Sequence, residues 1–231
     1  MHEAKMHDDN CFITLTYDEQ NVPSDGSLRP RDYVLFMKKL RKKYGPVRFF
    51  HCGEYGDVGE RPHHHALLFG FDFDDKSKLP RTNEKYKLYR SAELDRLWGL
   101  GFCTIGECNF ESAGYVARYA MKKVGGKIDY KGRCPEYLTM SRRPGIGRAW
   151  FEKFRRDVYP FDEVIVDGVR SKPPRYYDNV LEKMEPKQLL RLKSKRRAKA
   201  LHDIDGTGPR LIVREAVRAG AIRTLKRSLE V

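Results

Sequence analysis

Three histidines in a row, His63-His64-His65, follow Pro62 and lead into the apolar run Ala66-Leu67-Leu68-Phe69, which stops at Gly70. Such residues bounded by proline and glycine read as a strand. On a strand, side chains two apart share a face. His63 and His65 therefore stand side by side, and His64 points to the other side with Ala66 and Leu68. Two imidazoles on a rigid strand make half of a metal site. A carboxylate on the preceding strand completes it, and Glu54 in Cys52-Gly53-Glu54-Tyr55-Gly56 is the best placed. A lone histidine near a core strand is usually a hydrogen-bonded structural residue, so the reading rests on the pair together with the carboxylate.

The second chemical group lies further down the chain. Tyr115 and Tyr119 are four apart in Glu111-Ser-Ala-Gly-Tyr-Val-Ala-Arg-Tyr-Ala-Met-Lys-Lys-Val124, hence on one face of a helix, about 6 Å apart along its axis. An isolated pair of this kind is more often an aromatic stripe on a core. Here Arg118, Lys122 and Lys123 surround it, which a buried stripe would not tolerate. A phenol has a pKa of about 10 and is a poor nucleophile near neutrality. Cationic neighbours favour the phenolate, and a metal ion makes a phosphate more electrophilic. These are the parts that phosphodiester cleavage by tyrosine requires.

The elements that must position these groups read as follows. Cys11 to Tyr17 alternates and is β-rich, so it is a strand. Arg31 to Tyr44 carries apolar residues at helical spacing and stops at Gly45-Pro46. Val47 to Cys52 is a second strand, and the glycine-rich Gly53 to Gly59 turns it back into the histidine strand as an antiparallel hairpin, with Glu54 beside His63 and His65. Phe71 to Tyr89 reads as loop, Ala92 to Trp98 as a short helix with Ser91 as N-cap, and Gly101 to Gly106 as another strand before the tyrosine helix. Gly126 to Gly147 reads as loop, with Arg142-Arg143-Pro144-Gly145 a basic knot. Arg148 to Asp157 reads as a helix, and Glu163 to Val169 as a hairpin turning at Asp167-Gly168. Two basic helices, Asn179 to Leu201 and Arg210 to Leu229, finish the chain. This order predicts an α+β fold, a central antiparallel sheet with packed helices.

Composition narrows the partners. The 231 residues suit one domain plus an appendage, drawn here as residues 1–160 and a basic, mainly helical extension over 161–231. A formal charge of +14 and a pI near 9.6 point to a polyanion, most simply nucleic acid. From Ser171 onward 16 Lys and Arg stand against 7 Asp and Glu, so most of the excess sits in the last quarter. Five cysteines without a Cys-x-x-Cys pair argue against a disulfide framework and a structural zinc site and fit a reducing compartment. With no long apolar run and no signal-like start, the expectation is a soluble, unsecreted protein.

The order Phe12-Ile-Thr-Leu-Thr16, then Glu54 before Pro62-His-x-His65, then Tyr115-Val-Ala-Arg-Tyr-Ala-Met-Lys-Lys123 resembles the three motifs of HUH-type rolling-circle replication initiators. More narrowly it is similar to the initiators of microviruses, the small single-stranded DNA phages, and to their gokushovirus branch. Gly53-Glu-Tyr-Gly56, Gly101-Phe-x-Thr-Ile-Gly-Glu107 and Pro144-Gly-Ile-Gly147 carry that narrower likeness. The resemblance implies an HUH endonuclease domain of ferredoxin/RRM-like fold. It implies that His63, His65 and Glu54 hold Mn²⁺ or Mg²⁺, that Tyr115 and Tyr119 are the nucleophiles and that Lys122 or Lys123 is the motif lysine. Thr14 and Thr16 fall in the first motif and, with Arg118, Arg142 and Arg143, are expected to contact DNA. The implied activity is nicking and rejoining of single-stranded DNA at an origin through a 5′-phosphotyrosine, in the cytoplasm of a bacterial host, with host helicase and polymerase as possible partners. Two positions depart from the pattern. His64 stands where an apolar residue is usual, and the first strand begins after fewer residues than in such relatives. The competing readings are a non-catalytic nucleic-acid-binding module, a two-His-one-carboxylate iron oxygenase, and another HUH enzyme, a relaxase or transposase.

Overall fold

The computed structural model describes residues 1–56, 59–80, 87–122, 130–201 and 204–223. The chain divides into two units, Met1–Trp150 and Phe151–Val231. In chain order the first carries β1 (Asn10–Thr16), α1 (Pro30–Tyr44), β2 (Arg48–Tyr55), β3 (Pro62–Phe69), β4 (Ser77–Lys78), β5 (Tyr89–Arg90), α2 (Ala92–Trp98), β6 (Cys103–Glu107), α3 (Phe110–Lys122) and β7 (Tyr137–Met140). The strands form one antiparallel sheet in the order β4-β5-β6-β1-β3-β2-β7. The fold is α+β with a central antiparallel sheet, as the sequence predicts.

β3 lies inside the sheet, and all eight of its residues are buried. Ala66 and Leu68 join Cys11, Ile13 and Leu15 of β1 and Cys103 and Ile105 of β6 in a core closed by Tyr33, Phe36, Met37 and Leu40 of α1 and Leu94, Leu97 and Trp98 of α2. Burying a side chain such as Leu15 contributes about 1.5–3 kcal/mol. Pro30 opens α1, and Ser91 Oγ caps α2 by accepting from Leu94 N. His64 points into this core, as strand alternation requires. There it belongs to a hydrogen-bonded chain. Tyr17 Oη donates to Asp32 (2.9 Å) and lies 3.3 Å from His64 Nε2; His64 Nδ1 is 3.2 Å from His51 Nε2, and His51 Nδ1 is 2.8 Å from Thr139 Oγ1. Tyr33 stacks on His51 with ring centroids 3.4 Å apart. Every polar atom of both imidazoles has a partner, which is what makes their burial tolerable.

The structure corrects four readings of the sequence. β2 does not end at Cys52 but runs through Gly53 and Glu54 to Tyr55, because the ladder to β3 continues to Pro62. Gly53 reads as a turn residue, yet its role is steric: a Cβ there would lie 2.5 Å from the Tyr137 ring. Residues 126–147 are not all loop, since β7 pairs with the outer edge of β2. Residues 71–89 likewise contain the short strand β4 paired with β5, residues 81–86 lying outside those described. Both strands are too short to show a period.

The fourth correction falls in the second unit. It contains the hairpin β8 (Val164–Val166) and β9 (Val169–Ser171), which turns at Asp167-Gly168 as expected, and the helices α5 (Arg175–Met184), α6 (Pro186–Leu201) and α7 (Gly208–Arg223). The single helix expected from Asn179 to Leu201 is two, broken at Glu185-Pro186. Proline has no N–H and disfavours the helical region for the residue before it. Glu185 accordingly leaves that region, at φ −140° and ψ 66°. The second predicted helix starts at Gly208, and residues 224–229 lie outside those described. Arg196 clamps Asp162 and Asp178 at 2.8 and 2.6 Å, and Tyr177, Val180, Leu181, Leu189 and Leu192 are buried. No described helix is long and apolar enough to cross a membrane.

Candidate functional site

Antiparallel pairing sets Glu54 opposite His63, Thr16 opposite His63 and Thr14 opposite His65. Directly opposed residues share a face, so these side chains gather on the side of the sheet away from α1 and α2. Glu54 is fully buried. Its Oε1 is 2.9 Å from His63 Nε2 and 2.6 Å from His65 Nε2. One ligand atom from each of the three residues lies within 4.8 Å of the others.

The hydrogen bonds behind the imidazoles decide what these atoms can do. His63 Nδ1 is 3.0 Å from the carbonyl oxygen of Arg61. A carbonyl only accepts, so Nδ1 carries the proton. In neutral His63, Nε2 then faces Glu54 Oε1 with a lone pair, and the contact closes only with a cation between them, either a second proton or a metal. His65 Nδ1 is 2.9 Å from Thr14 Oγ1. Its Nε2, though 2.6 Å from the carboxylate, lacks the angle for a hydrogen bond and has no hydrogen-bond partner, and Glu54 Oε2 is likewise unpartnered. Buried orphan donors and acceptors are rare. Converging imidazole and carboxylate atoms, each ring anchored from behind, are the donor set of a divalent metal site. The residues present therefore fit such an ion.

The charges agree. Burial alone raises the Glu54 carboxyl, but hydrogen bonds from His63 and His65 and their charge outweigh it and bring it down to about 2. Burial lowers His65 below 6.5 against the opposing pull of Glu54. An anionic carboxylate beside a neutral imidazole is the protonation state a metal needs.

α3 closes the site from above. Its entry is fixed by Asn109, whose Oδ1 accepts from Ser112 N (2.9 Å) while Asn109 N donates to Ser112 Oγ (2.9 Å), a reciprocal cap. Tyr115 packs edge-on against His65 with centroids 4.9 Å apart, and His65 stacks on Phe12 at 5.4 Å. The Tyr115 hydroxyl donates to Glu54 Oε1 at 2.6 Å. Its residue is 2% exposed, so the expectation that cationic neighbours keep it out of a core is corrected. Arg118 is half-buried and Ala117 faces solvent, while Tyr115 turns inward, because adjacent helical positions face different ways.

The other predicted residues fall as follows. Tyr119 and Lys122 are on the last described turn of α3, with side chains outside what is described, and Lys123 lies outside the described residues. The Thr14 hydroxyl is spent on His65, and the Thr16 hydroxyl donates to Phe102 O at 2.8 Å. Arg142 and Arg143 are exposed beyond the end of β7 that lies level with Phe50, roughly 15 Å along the sheet from Glu54. The fold does not bring them to the centre. Sequence reasoning passed over Phe12 as a wall of the site and Arg61 O as an anchor; the alternation Phe12-x-Thr14 already put Phe12 on the face of His65.

The family model for the ORF2 type of replication-associated protein matches residues 10–124, the span that builds this site. The chain is 34% identical over 209 residues to replication-associated protein VP4 of Bdellovibrio phage phiMH2K, covering 86% of this chain and 66% of that protein. It is 35% identical over 189 residues to replication-associated protein ORF2 of Spiroplasma virus 4, covering 75% and 58%. For replication-associated protein ORF4 of Chlamydia phage 1 the identity is 31% over 193 residues, covering 79% and 48%. The chain thus spans about half to two thirds of the length of these relatives. No solved structure matches it. With the matched span enclosing the three motifs, the chain belongs to the family of microvirus-type phage replication-associated proteins.

Proposed function

We propose that this protein acts in initiating phage DNA replication as a metal-dependent, site-specific endonuclease of HUH type. It nicks and rejoins single-stranded DNA through a 5′-phosphotyrosine. The observation that carries the reading is the 2.6 Å contact of the Tyr115 hydroxyl with Glu54 Oε1, the oxygen that both His63 and His65 also approach. A nucleophile and a metal-type donor set thus meet at one atom.

His63, His65 and Glu54 hold the ion, Mn²⁺ or Mg²⁺. Once bound it supplies Lewis acidity toward a non-bridging oxygen of the scissile phosphate. Glu54 orients the Tyr115 hydroxyl and accepts its proton as the phenolic oxygen bonds to phosphorus. The P–O3′ bond breaks, and the leaving oxygen takes a proton from water to become a free 3′-hydroxyl for a host polymerase. Tyr119 performs the second cut after one round, and the 3′-hydroxyl then released attacks the first phosphotyrosine to close the circle. Lys122 or Lys123 offsets charge developing on the phosphate. Each exchange conserves a phosphodiester, so no nucleotide cofactor is consumed. The work belongs in the host cytoplasm, beside host helicase and polymerase.

Incubation with origin-containing single strand and Mn²⁺, followed by mass spectrometry, tests this. A tyrosine–DNA adduct is expected in the wild type, with loss of nicking in the double variant Tyr115→Phe/Tyr119→Phe. Undiminished nicking by the double variant overturns the assignment. Metal-independent binding without an adduct leaves a non-catalytic DNA-binding module instead.

A further inference from the structure

The stretch Gly101-Phe102-Cys103-Thr104-Ile105-Gly106 enters the sheet through β6 and has no part in the centre described above. Leu15 pairs with Cys103 and Thr14 with Thr104. Phe102 then comes level with Thr16, whose backbone N–H and hydroxyl both donate to Phe102 O, at 3.0 and 2.8 Å. Thr16 faces His63, and His63 faces Glu54. Phe102, Thr16, His63 and Glu54 therefore form one row across four strands, while Cys103 and Ile105 turn into the core on the other side. Two strand spacings, about 10 Å, separate Phe102 from His63 along this row.

The support under Phe102 is rigid, whereas its ring is 64% exposed. Gly101 sits at φ +153°, and a Cβ there would lie 2.4 Å from Asp18 N and 2.5 Å from Thr16 O, so this backbone is pressed against the end of β1. Asp18 N donates to Leu100 O at 3.0 Å, and Trp98 Nε1 donates to Thr16 O at 2.7 Å. At the same end of the sheet the Arg61 guanidinium reaches Tyr17 O at 2.9 Å. A large apolar ring held out to solvent on fixed backbone, in line with a candidate phosphodiester-cleaving centre on a chain of charge +14, has the form of a stacking platform.

We propose that Phe102 stacks on a nucleobase of the single strand close to the phosphate held at His63, His65 and Glu54, fixing the strand's path across β6 and β1. The proposal rests on the endonuclease reading, and it adds a base-binding subsite that tolerates any base, since every base has a π-face. Fluorescein-labelled oligothymidylate, read by anisotropy over a salt series with the full chain, tests it. Phe102→Ala should weaken binding about tenfold or more with an unchanged slope of log K against log salt, because no phosphate contact is lost. Phe102→Trp should keep the affinity, and its added indole emission should be quenched by the oligonucleotide. Mn²⁺ binding by Phe102→Ala should match wild type. Equal affinity of Phe102→Ala and wild type, an unquenched Phe102→Trp, or loss of Mn²⁺ binding in Phe102→Ala each overturns the platform; the first also turns the exposed ring toward a protein partner. If the wild type binds the oligonucleotide and Phe102→Ala does not, while no tyrosine adduct forms, the platform stands and the nicking reading falls.

Discussion

Thr14 shows how much one hydroxyl decides. Its contact with His65 Nδ1 fixes the ring plane and the atom that faces Glu54, as partners behind metal-bound imidazoles do elsewhere. Thr14→Val keeps the shape of the side chain and removes the anchor. Mn²⁺ affinity measured by calorimetry should fall about 10–100-fold, and Thr14→Ser should restore most of it. Equal affinity in all three proteins would show that Phe12 and Tyr115 orient the ring by packing alone. Strand alternation by itself puts Thr14 on the right face, but it does not say whether the hydroxyl meets DNA or an imidazole. That depends on which strand pairs with β1 and in which register.

At the level of elements, the hydrogen-bonded chain through His64 and His51 ties β3, β2, β1, α1 and β7 together. Burial, then the charge of His63 and His65, pulls His64 down to about 3, and burial with the charge of His64 pulls His51 well below 6.5. The unfolded chain therefore binds protons below 6.5 that the folded protein refuses. Stability is complete above that value and falls as the pH drops from about 6.5 toward about 3, by up to roughly 1.4 kcal/mol per pH unit for each histidine. His65 adds to the loss in the same sense. Glu54 acts in a lower window, between its ordinary 4.5 and about 2. Urea unfolding in EDTA should accordingly show a midpoint that declines steadily between pH 7 and 5. A flat midpoint would mean these imidazoles are already charged or are reached by water. The register of β3 was legible because Pro62 and Gly70 bound it. β7 was not, because four half-buried residues at a sheet edge carry no period and gain their structure from β2.

Across the whole molecule, charge is the property that speaks to a partner. Lys187, Arg191 and Lys195 repeat every fourth residue along α6 and are exposed, one basic stripe on the helix. If the stripe tracks phosphates of the single strand, replacing the three by glutamine should reduce the slope of log K against log salt by about 2, at roughly 0.7 per phosphate contact. Affinity should fall most at low salt. An unchanged slope assigns the stripe to something other than DNA. The excess of positive charge after Ser171 was plain from the residues. The break at Pro186, which ends one helix and starts the one that carries this stripe, was passed over because basic residues continue on both sides of it.

Local chemistry was written in the chain: which histidines share a face, which carboxylate is close enough to join them, and which helix carries paired tyrosines over a basic background. These follow from periods of 2 and 3.6 and from proline and glycine boundaries, all of which act over a few residues. The meeting of Tyr115 with Glu54, the anchoring of His65 by Thr14, the burial of His64 in a satisfied polar chain and the row from Phe102 to Glu54 were set by tertiary folding. Each depends on residues far apart in the chain being brought into register by strand pairing and helix docking, and no local pattern encodes a partner at that distance.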